Sequence, residues 1–277
     1  MTTGLRIRFH LRDVSAVAVV GIFMFPVIWW AFTSIQPYSA IFNKDQLPLF
    51  NFSPSLDNYK SAYFQDGPEA FSARAAFVHS MIIALGSTAL AVSLGLLAAF
   101  GLTRIVTGRR RSYTTAVLLL RFLPPVAIIV PASLIFRDVG LFDTHASVIF
   151  MHATMNLPLA ILMLTSFLDD VPREVFDAAR IDGASEFQVL TLVVAPVIRG
   201  GMAATAVLCF IFSIIEFTMA LFLTVSFRTL PVTLSFLPWG DMGELAAASM
   251  SAIIPGFIFI LIFQRHLVRG LTLGSQK

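Results

Sequence analysis

The chain has 277 residues and a formal net charge of +3, with 57% apolar and only 13% charged residues. A soluble domain carries about 25% charged and about 45–50% apolar residues, so this composition excludes an ordinary soluble protein. The basic residues flank apolar runs, which argues against a nucleic-acid partner, and the single cysteine, Cys209, rules out an intramolecular disulfide or a cysteine metal site.

Six apolar runs follow in chain order: Val14–Ile35, Ala75–Leu102, Tyr113–Phe136, Ala146–Leu168, Gly200–Ser226 and Leu245–Phe263. Crossing the hydrocarbon takes a helix of roughly 20 residues. No water is available there, so backbone groups must pair within the segment, and runs of this length do so as helices. The expected fold is an all-α membrane protein with six transmembrane helices in one domain, 1–277. The first run is expected to remain as a span: it is too long for a signal-peptide core, and no small-residue cleavage site follows before Pro37. Prolines 26, 124, 125, 131, 158 and 255 fall within the runs. Each removes a helical hydrogen bond, and the Pro124, Pro125 and Pro131 cluster predicts a break in the third helix.

Lys and Arg set the orientation. Arg6, Arg8 and Arg12 precede the first run; Arg104, Arg109, Arg110 and Arg111 fill the second connection. Arg173, Arg180 and Arg199 lie in the fourth connection, and Arg265, Arg269 and Lys277 follow the last run. The other side holds only Lys44, Lys60, Arg74, Arg137 and Arg228. The richer side stays cytoplasmic, so both termini are expected inside. The long first outer connection, 36–74, is expected to form an ordered external lobe or interfacial helix.

The fourth connection, Asp169–Arg199, is the informative one. Pro172 suits the first turn of a helix running through Ala179; Gly183 interrupts it, and Ser185 can cap a second helix with Glu186 in its first turn. Phe187, Leu190 and Val194 fall at helical spacing, giving an apolar stripe outside the membrane. A solvated acidic loop would explain the charges but not that stripe or the small pair Ala178 and Ala179; a docking element explains all three.

This segment resembles the signature loop of binding-protein-dependent ABC importer permeases: Glu-Ala-Ala, three residues, Gly, nine residues, Ile-x-Leu-Pro. Here it reads Asp177-Ala178-Ala179, three residues, Gly183, nine residues, Val193-x-Ala195-Pro196, with Ile181-Asp182-Gly183-Ala184 in the family's usual context. Ser53–Tyr59, His79-Ser80, the stretch from Ala98 to Arg104 and the end Phe263-Gln264-Arg265…Arg269-Gly270-Leu271-Thr272-x-Gly274 are similar to the maltose-type carbohydrate group. The tail resembles that group's subunit without a large periplasmic insertion. The resemblance implies a multi-pass subunit of the bacterial cytoplasmic membrane, pairing with a second homologous permease, two ATPase subunits and an extracytoplasmic solute-binding protein. It implies alternating access driven by ATP, with the cytoplasmic coupling-helix loop 169–199, between helices 4 and 5, seated in a cleft of the ATPase. Asp177, Ala178, Ala179, Gly183 and Pro196 would make that contact, joined by the cytoplasmic tail 264–277. No Gly-x4-Gly-Lys-Ser/Thr sequence is present, so the chain is not itself expected to be an enzyme or to bind a cofactor; ATP and Mg belong to the partner subunits.

Two ionisable residues, Arg121 and Glu216, sit inside apolar runs. Facing lipid near the centre would cost each about 2.5–3.5 kcal/mol, so both are candidates for a solute cavity. On straight helices Arg121 lies about 12 Å, and Glu216 about 24 Å, from the inner end, which makes direct pairing uncertain. Arg121 could instead snorkel to headgroups, and Glu216 could hydrogen-bond across a helix interface. An Arg121 lining the cavity would favour an acidic sugar. His10, His79, His145, His152 and His266 show no metal-ligand spacing and read as packing residues. The competing function is an ion-coupled secondary transporter with Arg121 and Glu216 as coupling groups.

Overall fold

The computed structural model describes residues 11–41, 52–64, 72–103, 107–237 and 242–273, with the backbone alone for 11–13, 107–108 and 263–273. Among the described residues every regular element is helical. Four of the described helices are long and apolar enough to cross a membrane singly, α1 (Leu11–Ser34), α4 (Ala73–Leu102), α7 (His145–Asp169) and α14 (Met242–Leu273). Between α1 and α4 lie the short helices α2 (Tyr38–Ile41) and α3 (Asp57–Phe64), the described parts of the expected external lobe; 42–51 and 65–71 lie outside the described residues.

The chain divides into two compact units. In the first, within Met1–Asp66 and Leu237–Ser251, the end of α1 is held by polar contacts to α3. Asn58 Nδ2 donates to the Ser34 and Gln36 carbonyls at 3.0 and 2.7 Å, and Ser34 Oγ lies 3.0 Å from Tyr59 Oη. Gly243 permits this packing, since a Cβ there would come within 2.5 Å of the Asn58 amide.

The second unit, within Gly67–Phe236 and Ala252–Lys277, is organised around α4 and α7, with α11 (Arg199–Ile214) against both. In a membrane, helices associate by close packing of small residues, because lipid is as apolar as leucine. Ala91, Ala99, Ala153 and Ala160 are buried at this seam, and a Cβ on Gly95 would lie 2.7 Å from that of Ala160. Ser72 and Thr144 cap α4 and α7 by accepting the Ala75 and Ser147 N–H groups.

Two expected spans are not continuous helices. The third run is α5 (Thr107–Leu120) and α6 (Pro125–Asp138), whose axes meet at 85°. Pro124 is extended (ψ 129°) and Pro125 opens α6, so the proline pair both ends one helix and starts the next. The fifth run, expected as one helix over Gly200–Ser226, stops at Ile214 and restarts as α12 (Thr218–Leu223), and the short α13 (Leu230–Phe236) follows it. No proline is involved: the Glu216 carboxylate takes the Met219 and Ala220 N–H groups in place of backbone acceptors. The last helix runs on through Leu273, ten residues past the expected end at Phe263, so the backbone of the expected tail is helical as far as it is described.

Candidate functional site

Residues 169–199 form a helix–turn–helix. Helix α8 (Arg173–Ile181) begins behind Pro172 and ends in a left-handed cap: Gly183, at φ +85°, donates to the Arg180 carbonyl, and Ala184 donates to that of Ala179, both at 3.0 Å. This paired arrangement closes a helix and needs a residue without a Cβ at the turn. Ser185 then caps α9 (Glu186–Gln188) in a reciprocal box with Gln188. Arg180 ties the two helices, its Nε to Glu186 and its Nη1 to Asp177, each at 2.8 Å.

Beyond Gln188 the expected α-helix becomes a π-helical stretch, Val189–Val194, followed by α10 (Ala195–Val197). Pro196 has no N–H for the Leu192 carbonyl, and its ring needs the space that a wider turn provides. The expected stripe is split by this change: Leu190 and Val194 are buried, whereas Phe187 is 67% exposed. Ile181 is 86% exposed and Leu192 71%, so the apolar surface is larger than the spacing suggested and lies partly on other residues. Asp177, Ala178, Gly183 and Pro196 are exposed; Ala179 is buried against the chain's own core.

The two breaks meet at a cavity of about 300 Å³. Arg121 sits in the turn after α5, and Glu216 in the gap before α12; both line the cavity, with His152, Asn156, Phe212 and Ser213. They are not paired with each other. Arg121 Nη1 donates to the Met155 carbonyl at 3.0 Å, and its guanidinium carbon lies 5.0 Å from the Phe212 ring centroid. Pro158, in the same helix, removes the N–H that would serve the Thr154 carbonyl, one residue before Met155. Glu216 instead has Met219 and Ala220 N–H groups and His152, whose Nε2 lies 3.2 Å from Oε2 without the alignment of a hydrogen bond. His152 Nδ1 lies 2.7 Å from Ser213 Oγ, itself 2.8 Å from Ser87 Oγ. Residues read from the sequence as packing therefore belong to a polar network. His152 and Asn156, at i and i+4 in a run without formal charges, carried the signal that could have found it.

Long apolar helices, with two expected spans interrupted beside a cavity that mixes apolar and polar side chains, define the architecture of a multi-pass membrane protein. The model of the family described as binding-protein-dependent transport system inner membrane component matches residues 91–273. The chain belongs to this family and is a multi-pass protein of the inner membrane. It is 34% identical to the trehalose transport system permease protein of Mycobacterium tuberculosis over 94% of both chains. It is 32% identical to the sulfoquinovosyl glycerol transport system permease protein of Agrobacterium fabrum, over 96% of this chain and 93% of that one. It is 30% identical to the trehalose/maltose transport system permease protein of Thermococcus litoralis over 96% of both. Its fold matches a chain of a bacterial alginate ABC transporter with a TM-score of 0.62 at 13% identity, covering 91% of this chain and 94% of that one. These relatives favour the ATP-driven reading over the ion-coupled one.

Proposed function

We propose that this chain is a translocating subunit of an ATP-driven carbohydrate importer. It would form a single permease domain, 1–277, with six spans: α1, α4, the α5–α6 pair, α7, α11 with α12, and α14. Both termini lie in the cytoplasm. Two contacts support this alternation. Arg110 grips Asp169 through one guanidinium nitrogen, with Nη2 2.7 Å from Oδ1, joining the second and fourth connections. The Asp143 carboxylate accepts the Val225 and Ser226 N–H groups at 2.7 and 3.0 Å, joining the third connection to the fifth. Connections of like parity share a side only if the span count between them is even. The excess of Lys and Arg assigns the first pair to the cytoplasm.

The observation that carries the proposal is segment 169–199, a preformed helix–turn–helix that leaves Ile181, Phe187 and Leu192 exposed. Such an apolar surface on a charged segment fits a partner's cleft. Exposed Ala178 permits close approach beside Asp177, Gly183 sets the turn, and exposed Pro196 closes the segment. The partners are two ATPase subunits that hold ATP and Mg, a second permease of the same family and an extracytoplasmic binding protein. The tail 264–277 adds a second contact with the ATPases. A carbohydrate cargo is supported by the relatives named for trehalose, sulfoquinovosyl glycerol and maltose transport. Arg121 and Glu216 belong to the path of the solute. Ala178→Arg tests the docking: the complex should lose ATPase subunits or substrate-stimulated hydrolysis while the chain still inserts. Full coupling in that variant would refute it.

A further inference from the structure

Arg121 is a guanidinium within the span whose charge has no carboxylate partner among the described residues. One of its nitrogens is occupied by the Met155 carbonyl, and the Phe212 ring lies beside it. A guanidinium has five donors in a planar fork, so both contacts together leave most of its capacity unused. The acid that shares the cavity, Glu216, is committed to the first turn of α12 and to His152. The cavity is thus polarised, with a cation at the α5–α6 break and an acceptor at the α11–α12 break. At about 300 Å³ it falls at the lower end of small-molecule sites, which run from about 300 to 1,000 Å³.

We propose that this cavity is a solute subsite carried by this subunit, in which Arg121 receives a carboxylate, sulfonate or phosphate group on the sugar and Glu216 accepts its hydroxyls. The inference rests on the importer reading and adds the class of cargo. A neutral sugar needs donors and acceptors but no unpaired cation, and an arginine within the span is costly unless its charge is compensated. An anion offers bidentate, charge-assisted contacts to the unused edge of the guanidinium. Glu216 would repel the same anion, so the solute is held in one orientation, charged group toward Arg121 and hydroxyls away.

The test uses the assembled complex in nanodiscs, without nucleotide or binding protein, so that selection by the binding protein does not enter. Binding is titrated with matched probes, D-glucuronate against D-glucose and cellobiuronic acid against cellobiose. The anionic member of each pair should bind at least about tenfold tighter, and Arg121→Gln should collapse that ratio to near one. Glutamine keeps an amide donor for the Met155 carbonyl, so the change reads the charge rather than the tie to α7. Arg121→Lys keeps the charge without the fork and should retain part of the preference; with the wild-type ratio it decides the matter if Arg121→Gln fails to assemble. Equal or tighter binding of the neutral sugars, a ratio unmoved by Arg121→Gln, or no binding of either probe overturns the proposal. ATP-driven uptake of sugars by the wild-type complex with its binding protein is measured in parallel. Uptake without an Arg121 effect sinks the anion subsite alone, and absence of all uptake sinks the importer reading.

Discussion

Gly183 stands at φ +85°, and a Cβ added there would meet nothing within 4 Å, so substitutions change the preference of the backbone without filling occupied space. Alanine in the left-handed region costs about 1–2 kcal/mol, while asparagine visits that region with less penalty. Valine is worse than alanine because a β-branched side chain at positive φ is a genuine outlier. Proline fixes φ near −65° and deletes the N–H that donates to the Arg180 carbonyl, a loss of about 3 kcal/mol or more. One to two kcal/mol changes the ratio of formed to unformed turn by a factor of about 5–30. If the turn is what docks, the apparent affinity for the ATPase falls in proportion to the formed fraction. The assay titrates purified ATPase subunit against the permease pair in nanodiscs and follows substrate-stimulated hydrolysis. The expected order is glycine and asparagine above alanine, then valine, with proline inactive at any attainable concentration. Proline binding as well as glycine, or alanine binding better than asparagine, would refute the reasoning.

Gly95→Ala places a Cβ 2.7 Å from that of Ala160 across the α4–α7 seam, and overpacking of this kind costs about 1–3 kcal/mol, so thermal unfolding in detergent should move to lower temperature. Gly101→Ala, on the same helix with open space around it, should leave the midpoint unchanged or raise it. Burial alone would raise the carboxyl of Asp143, but the Val225 and Ser226 N–H groups outweigh it and hold the group below its ordinary value. Its contribution is therefore complete above the ordinary aspartate value of about 3.9 and fades as pH falls through the lower folded one. The stability difference between wild type and Asp143→Asn should be constant from neutral pH down to that range and shrink below it; a difference that grows on acidification would contradict the assignment.

The apolar runs made the helical type of the long elements legible, because hydrocarbon leaves the backbone no alternative. They did not by themselves show which runs would be single helices: four are, and the third and fifth are interrupted. The proline pair likewise announced the α5–α6 break. The Asp177–Pro196 spacing located the helix–turn–helix, and Gly183 and Ser185 take the roles their residue types suggest. What the sequence hid depends on geometry that repeats do not encode. A straight-helix ruler set Arg121 and Glu216 at different depths, but the 85° bend and the Glu216-induced gap bring both to one cavity. The π-helical stretch turned Phe187 away from Leu190 and Val194, because one extra residue in a turn rotates everything before it relative to everything after. His152 was hidden in part: its spacing from Asn156 marks a polar face on α7, but its partners, Ser213 and Glu216, lie far along the chain, and no local pattern names them.

The most direct test of the central claim reconstitutes the chain with its second permease and ATPase subunits in proteoliposomes. The extracytoplasmic binding protein is supplied outside and ATP inside. Labelled disaccharide should accumulate against its gradient only when ATP and binding protein are both present, and Gly183→Pro should abolish accumulation without displacing the chain from the membrane. Accumulation that persists without ATP, or that follows an imposed proton or sodium gradient, would contradict the account.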